Sequence, residues 1–345
     1  GRTRRIDVAI DPGGGAGGAP PRISVRNDGR GIPVVVHKGE DMYVPELLFG
    51  HLLTGSNFND DTKRLTGGRH GYGAKLTNIF SRSFTVETAD SAAGLHFRQT
   101  WSDNMGSTEG PVVTALPPGV PDYTSVSFVP DLPRLTRDLD GTIDPPNFRQ
   151  LAKRAVDAAA CHRSLTVTLN GAAISLSGAA PPAPAGSFAD YARLYLPGRV
   201  LASHRPHPRW EIAVGRSATG QFEHVSFVNG VCTSRGGTHV AAVSARVARR
   251  VAAHLQKSHP DLEVTPASVR PHLFVCVCAA LENPDFDSQM KESLTSPPSA
   301  WGSECVLSDA FLDGICRSEE VGVAAAVLAR ARRRQRSRLA KAVGG

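Results

Sequence analysis

Between Thr66 and Leu76 the sequence reads TGGRHGYGAKL, and Gly67, Gly68, Gly71 and Gly73 fall within seven residues. Backbone without Cβ atoms turns sharply and approaches a bound group closely, so its amides can ring an anion. The following AKLTNIF reads as the opening of a helix, whose positive end would face phosphates held by the loop, with Arg69 and Lys75 as added cations. The spacing is not that of a P-loop, because Ala74 separates Gly73 from Lys75 and no Ser or Thr follows the lysine. Nor is it a dinucleotide fingerprint. A plain turn of the chain remains the alternative. Upstream, Asn27 and Asp28, with Gly29 and Gly31, place a carboxamide and a carboxylate just past a strand pattern, where they can meet a heterocycle edge or form an Asx turn. TGSNFNDD, with Ser56 and Asn57, offers hydroxyl, amide and backbone groups to ribose or phosphate. Downstream, ENPDFDSQMKESL follows an apolar run, with Lys291 as a point charge for a phosphate or as an ordinary surface residue.

These groups need elements to hold them. Residues 5–10 and 21–25 read as an antiparallel hairpin, and 43–53 as a short helix with Pro45 in its first turn. SFTVET, LHFRQTW and YTSVSFV alternate apolar with polar residues, which predicts a sheet with one buried face and with Phe97 and Trp101 in its core or cover. The polar, proline-containing stretch 131–146 is taken as a domain boundary. An amphipathic helix over 147–160, a hairpin turned at Asn170-Gly171 and a Pro/Ala linker over 179–186 follow. Strands at 210–214 and 222–228, a long helix from His239 and the apolar LFVCVCAAL predict a crossover unit with a buried central strand.

The composition allows two domains. The chain has 345 residues, 41% of them apolar and 21% charged, within the range of globular proteins. Its charge of +7 is compatible with a polyanionic partner. No apolar run has membrane-spanning length, so no membrane partner is expected. Six widely spaced cysteines read as reduced and mostly buried. No HExxH motif, GxSxG elbow or credible Cys/His nucleophile pair occurs. The chain opens almost directly into a strand and not on Met, which points to a segment upstream. From Val321 the sequence reads as a helix carrying Arg330, Arg332, Arg333, Arg334, Arg336, Arg338 and Lys341 with no acid, either a solvated helix or a nonspecific phosphate contact.

Five blocks carry a resemblance. NDGRGIPVVVHKGEDMYVPELLFGHLLTGSNFNDD, TGGRHGYGAKLTNIFSRSFTVETA, FRQTWSDNM, SFVNGVCTSRGGTHV and ENPDFDSQMKESL together resemble, in family order, the ATPase region of eukaryotic-type DNA topoisomerase II. The resemblance implies an α+β chain: a GHKL-type (Bergerat) α/β sandwich over 1–143 lacking its N-terminal helices, and a ribosomal S5-like transducer over 144–320 with a left-handed crossover. A basic helix over 321–345 would lead toward a cleavage core that carries out DNA breakage. Asn27 then matches the residue that reads the adenine edge, with Asp28, Gly29 and Gly31 the turn beneath it. Ser56 and Asn57 meet ribose and phosphates. Arg69, His70, Gly71, Tyr72, Gly73 and Lys75 match the loop that wraps the triphosphate. Gln289 and Lys291 match the transducer loop whose lysine meets the γ-phosphate.

The implied cofactors are ATP and Mg²⁺, the partners double-stranded DNA and a second copy of the chain, and the location the nucleus. No residue of this chain is assigned to the metal. The implied mechanism is closure of a homodimeric gate around a transported duplex. The family's general-base glutamate and Mg²⁺-holding asparagine lie on a helix before the opening strands, so hydrolysis by this chain alone is not implied. His70 stands for the usual asparagine, Met290 for the usual threonine, and the lysine-rich loop after the long transducer helix is reduced to Lys257 with Ser258 and His259. The rival readings are a nonhydrolysing ATP-binding dimerisation module and a DNA-binding protein on a degenerate ATPase scaffold.

Overall fold

The computed structural model describes residues 3–14, 18–52, 54, 62–66, 68, 71–135, 141–177 and 186–343. The chain divides into two units, residues 1–61 with 68–185, and residues 62–67 with 186–345.

The first unit begins with β1 (Arg5–Asp11) and β2 (Arg22–Asn27), paired antiparallel as the alternation predicts, Ile6 opposite Asn27. Helices α1 (Val44–Gly50), with Pro45 in its first turn, and α2 (Tyr72–Ile79) follow. Then come β3 (Ser81–Asp90), β4 (Leu95–Ser102), β5 (Ser107–Thr108), β6 (Val112–Ala115) and β7 (Tyr123–Pro130). The short α3 (Leu132–Leu135) leads to α4 (Pro145–Cys161), β8 (Thr166–Leu169) and β9 (Ala172–Ala173). The strands make one sheet in the order β5-β4-β3-β7-β2-β1-β8-β9, with β6 on β4. Phe84, Val86 and Trp101 are buried together with Phe49 of α1 against them, and Phe97 is buried too, so both aromatic residues named from the sequence are core.

The boundary expected after residue 143 is corrected by strand pairing. β8 runs parallel to β1, from Arg5 opposite Thr166 to Val8 opposite Leu169, and Ala155 and Ala159 of α4 pack with Val167 against Ile6 and Val8. A polar connection therefore joins elements of one sheet, and composition carries no sign of a parallel partner so distant in sequence. The units divide instead at 185/186, inside the Pro/Ala stretch. The β8-β9 turn is the expected Asn170-Gly171, with φ of 49° and 83°. Asn170 also accepts from the Ile10 amide at 2.7 Å and donates to the Ile10 carbonyl at 3.1 Å.

The second unit holds α5 (Phe188–Arg193), β10 (Ala202–His207), β11 (Trp210–Arg216), β12 (Glu223–Val228), β13 (Val231–Cys232), β14 (Gly236–Gly237) and α6 (Thr238–Ser258). It continues through α7 (Pro266–Val269), β15 (Leu273–Ala279), β16 (Ser293–Leu294), α8 (Asp309–Arg317) and α9 (Val323–Val343). The sheet order is β10-β11-β15-β12-β13, with β15 parallel to β12, so α6 lies on the crossover that the sequence predicts. Val240, Val243, Val247, Val251 and Leu255 recur at helical spacing and are all buried. They join Ile212, Val214, Val275 and Val277 in the core of this unit. All six cysteines are free thiols, three of them buried and three half-buried.

Asn170→Ala is expected to destabilise the first unit by about 2–3 kcal/mol, because it strips two backbone groups of partners and places alanine at positive φ. Urea unfolding followed by intrinsic fluorescence measures this, and an unchanged midpoint would mean that β8 and β9 are not integral to the sheet.

Candidate functional site

Asn27 ends β2 between Ile6 of β1 and Thr124 of β7. Its carboxamide is half-buried and has no hydrogen-bond partner among the described residues, which leaves it available to a ligand. The Thr124 hydroxyl lies 3.2 Å from that of Thr88 on β3. Thr88 is fully buried, accepts from the Ile32 amide at 2.9 Å and lies 2.9 Å from the Tyr123 carbonyl, to which it donates. The turn 28–34 is thus fastened onto β3. Gly31 is required there, since a Cβ would stand 1.9 Å from the Ala89 carbonyl oxygen. Gly29 is nearly as confined, with the Thr3 hydroxyl 2.1 Å from a Cβ and the Asn27 amide nitrogen 3.3 Å away.

Asp28 does structural work in this turn. Its carboxylate accepts from the amides of Arg4 at 2.7 Å and Arg5 at 2.8 Å, which anchors the turn to the start of β1. Burial pushes its pKa up, but the two amides outweigh that and hold the carboxyl below its usual range. Of the dyad read from the sequence, Asn27 remains open and Asp28 is committed.

Helix α2 begins at Tyr72, two residues before the AKLTNIF expected from the sequence, because Gly71 takes the left-handed conformation (φ 66°) and caps it. Gly73 therefore lies in the first helical turn and not in the loop. No side chain caps this end, whose positive pole favours an anion. Ser56, Asn57, Arg69 and His70 lie outside the described residues.

Lys75 differs most from the sequence expectation of a cation reaching out of a loop. It is 1% exposed, and its ammonium donates to the Thr54 hydroxyl at 2.7 Å. That hydroxyl sits 3.0 Å from the Leu47 carbonyl at the end of α1. No carboxylate pairs with Lys75 among the described residues, and burial lowers its pKa from 10.5. A buried ammonium without a counter-ion is costly, and an anion bound at the N-terminus of α2 would relieve it. Asn78, one turn on, ties α2 to α1 through the Phe49 carbonyl at 3.1 Å. Sequence reading missed Thr54, Thr88 and Thr124. The only signal for Thr54 was its place at the head of TGSNFNDD.

An apolar cavity of about 860 Å³ also opens in this unit, lined by Ile23, Leu76, Phe80, Phe128, Leu132 and Ile143. Thr77, Thr142, Asp144, Asn147 and Gln150 are the polar members of its lining, and neither Asn27 nor Lys75 borders it.

In the second unit, Lys291 sits on a tight loop at positive φ (59°), its amide donating to the Ser288 carbonyl at 3.0 Å. Gln289 and Met290 are exposed, and burial lowers the Lys291 pKa from 10.5. Asp287 closes the loop base by accepting from the Ser293 amide at 3.1 Å, and β14 pairs in parallel with β16 beside it. Gly237, at φ 130°, lets the strands meet where a Cβ would stand 2.5 Å from the Leu294 nitrogen. The stretch before this loop holds Lys63 and Arg64 of the same unit: the backbones of Arg64 and Asn283 meet at 3.0 Å, and Glu282 pairs with Lys63 at 3.1 Å and Arg209 at 3.0 Å.

The ATPase and transducer domains of DNA topoisomerase II from Balamuthia mandrillaris superpose on this chain with a TM-score of 0.86 at 44% identity, covering 97% of this chain and 81% of that one. The chain belongs to the type II DNA topoisomerase family. The ATPase region of the Saccharomyces cerevisiae topoisomerase II gives a TM-score of 0.82 at 34% identity, over 94% of this chain and 80% of that one. The model of the DNA gyrase B family matches residues 198–343. Among full-length relatives, the Dictyostelium discoideum mitochondrial DNA topoisomerase 2 is 39% identical over 87% of this chain, and the chain spans 24% of that protein's length. The architecture is accordingly the GHKL-type sandwich of topoisomerase II with a transducer domain after it.

Two outcomes test the site in this topoisomerase II unit. Gly31→Ala should cost about 2–4 kcal/mol by driving the turn off β3, read as a lowered midpoint in urea. Lys75→Met should raise the stability of the ligand-free chain by about 1–3 kcal/mol. In the parent, the unfolded chain keeps the Lys75 proton more tightly, so stability should rise as pH climbs from the lowered folded pKa to 10.5, and the Met variant should lose that part of the rise. Thermal melts across that range decide it.

Proposed function

We propose that this chain is the ATP-binding and gate-closing region of a type IIA DNA topoisomerase, which passes one DNA duplex through another. Lys75 carries the reading, since it is buried, no carboxylate pairs with it among the described residues, and an anion at the N-terminus of α2 would neutralise it. The free carboxamide of Asn27 would orient the adenine edge. Amides at the start of α2 and the Lys75 ammonium would hold the phosphates, with Ser56, Asn57, Arg69 and His70 adding contacts from the adjoining segments. Lys291 would meet the terminal phosphate and Gln289 would flank it, so that nucleotide occupancy is felt in the transducer. Two such chains would close together around a DNA duplex. A nuclear location follows from the topoisomerase II reading, although one relative is named as mitochondrial.

Mg²⁺ belongs to this proposal through the nucleotide. Among the described residues no group of three or more His, Cys, Asp or Glu side chains is arranged to hold a metal ion. Hydrolysis needs a carboxylate that orients and deprotonates water, and Asp28, next to Asn27, is spent on the Arg4 and Arg5 amides. That observation favours a second reading, a nucleotide-gated dimerisation module that does not hydrolyse ATP unaided.

Titration calorimetry with a nonhydrolysable ATP analogue and Mg²⁺, followed by sizing of the same sample, tests the proposal. Saturable binding with a shift to dimer is expected. A folded chain that binds no nucleotide would refute it. Lys291→Ala should keep affinity within about threefold while losing the analogue-dependent shift to dimer, since a contact made mainly in the closed state contributes little to initial binding. An unchanged dimer shift in that variant would remove Lys291 from the coupling.

A further inference from the structure

Thr62, Lys63 and Arg64 lie between TGSNFNDD and the glycine-rich segment, yet they belong to the second unit. One residue takes hold of their backbone. Asn283 donates its own amide to the Arg64 carbonyl at 3.0 Å, its carboxamide oxygen accepts from the Arg64 amide at 3.1 Å, and its carboxamide nitrogen donates to the Thr62 carbonyl at 3.3 Å. A short carboxamide supplies both an acceptor and a donor here, whereas a carboxylate would offer the acceptor alone and glycine neither. Asn283 also stands at positive φ (40°), a conformation that asparagine adopts more readily than most residues with a Cβ. These three bonds end on main-chain atoms, so the hold does not depend on the side chains of residues 62 and 64.

The base from which Asn283 reaches is itself fixed. Leu281 is fully buried, its amide donates to the Asn229 carboxamide oxygen at 2.7 Å, and its carbonyl accepts from the Asn229 carboxamide nitrogen at 2.9 Å. The Glu282 amide donates to the Trp301 carbonyl at 3.2 Å. On the far side, the Asp285 amide donates to the Ser296 hydroxyl at 2.7 Å, its carbonyl accepts from the Thr295 amide at 2.9 Å, and the Asp287 amide donates to the Ser293 carbonyl at 3.0 Å. These last bonds close the loop that carries Lys291. One braced stretch, 281–296, thus grips residues 62–64 near its beginning and presents Lys291 near its end. The Lys63–Glu282 ion pair adds little to the grip, because the Lys63 side chain is 75% exposed.

We propose that Asn283 is a positioning residue for the nucleotide site: it holds the backbone of residues 62–64 on the support that carries Lys291, so that the chain entering the glycine-rich segment is placed before a nucleotide arrives. Only Leu65 and Thr66 separate Arg64 from Gly67, and so short a connection passes a displacement of Arg64 directly into the glycine-rich segment. Backbone already fixed in the free chain costs no ordering entropy on binding. The inference rests on the reading that this chain binds ATP through that segment.

The test is calorimetry of the full chain with a nonhydrolysable ATP analogue and Mg²⁺, comparing wild type, Asn283→Gly, Asn283→Asp and Lys63→Gln, together with the rate of trypsin cleavage after Arg64 in the ligand-free chain, read by mass spectrometry. Glycine keeps the positive φ and the main-chain bond while removing both carboxamide bonds, so Asn283→Gly should weaken analogue binding about 5- to 30-fold and speed the cleavage by a similar factor. Asn283→Asp keeps the acceptor and should fall between glycine and wild type. Lys63→Gln should bind within about twofold of wild type. A purely structural asparagine would lower the thermal midpoint and leave the affinity of the folded chain unchanged. Wild-type affinity or wild-type cleavage in a folded Asn283→Gly chain therefore overturns the proposal while leaving the nucleotide reading intact, and if that variant does not fold, the same result in Asn283→Asp overturns it. An equal loss of affinity in Lys63→Gln traces the effect to charge and also overturns it. A folded wild-type chain that binds no analogue overturns the nucleotide reading and this inference with it.

Discussion

The site in the first unit depends on one close approach of backbone to backbone. Gly31 lies against the Ala89 carbonyl, and Thr88 bonds the next amide, so the turn after β2 is pressed onto β3. Everything that β2 presents at its end inherits that placement. Asn27 stays free because its neighbours satisfy the turn: Asp28 takes the Arg4 and Arg5 amides, and Thr88 takes that of Ile32. A carboxamide left open beside a fully bonded turn is a preorganised recognition group, one that loses no internal bond when a ligand arrives.

Lys75 follows the opposite logic. Among the described residues its ammonium meets a single hydroxyl and no carboxylate. Groups selected for stability alone would not be buried in this way, and local destabilisation of this kind is characteristic of binding sites. Asn27 thus offers an open carboxamide at no cost to the fold, and Lys75 a buried ammonium that a bound anion would neutralise.

Much of this architecture was legible in the sequence. Alternation located the strands of the first sheet, the Asn-Gly pair located the hairpin at 170, and valines at helical spacing located α6 on its crossover. The parallel pairing of β8 with β1 was not legible, because parallel partners share no local signal, and the domain boundary was misplaced with it. The start of α2 was displaced because Gly71 ends the loop by its conformation, and Gly73, read as a loop residue, is tolerated in a first helical turn. The depth of Lys75 was invisible for another reason: burial is decided by α1 packing across α2, and nothing in GYGAK distinguishes a lysine aimed outward from one aimed inward. The threonines are common strand residues, and only pairing across β3 and β7 sets Thr88 and Thr124 beside Asn27.

Residues 62–67 belong to the second unit although the chain on both sides of them belongs to the first. The polypeptide therefore passes between the units three times, after residues 61, 67 and 185. No single cut separates them, and neither unit is one continuous stretch of the gene. A cut at 185/186 leaves residues 62–67 with the wrong unit, so neither core is obtained complete as a single excised fragment.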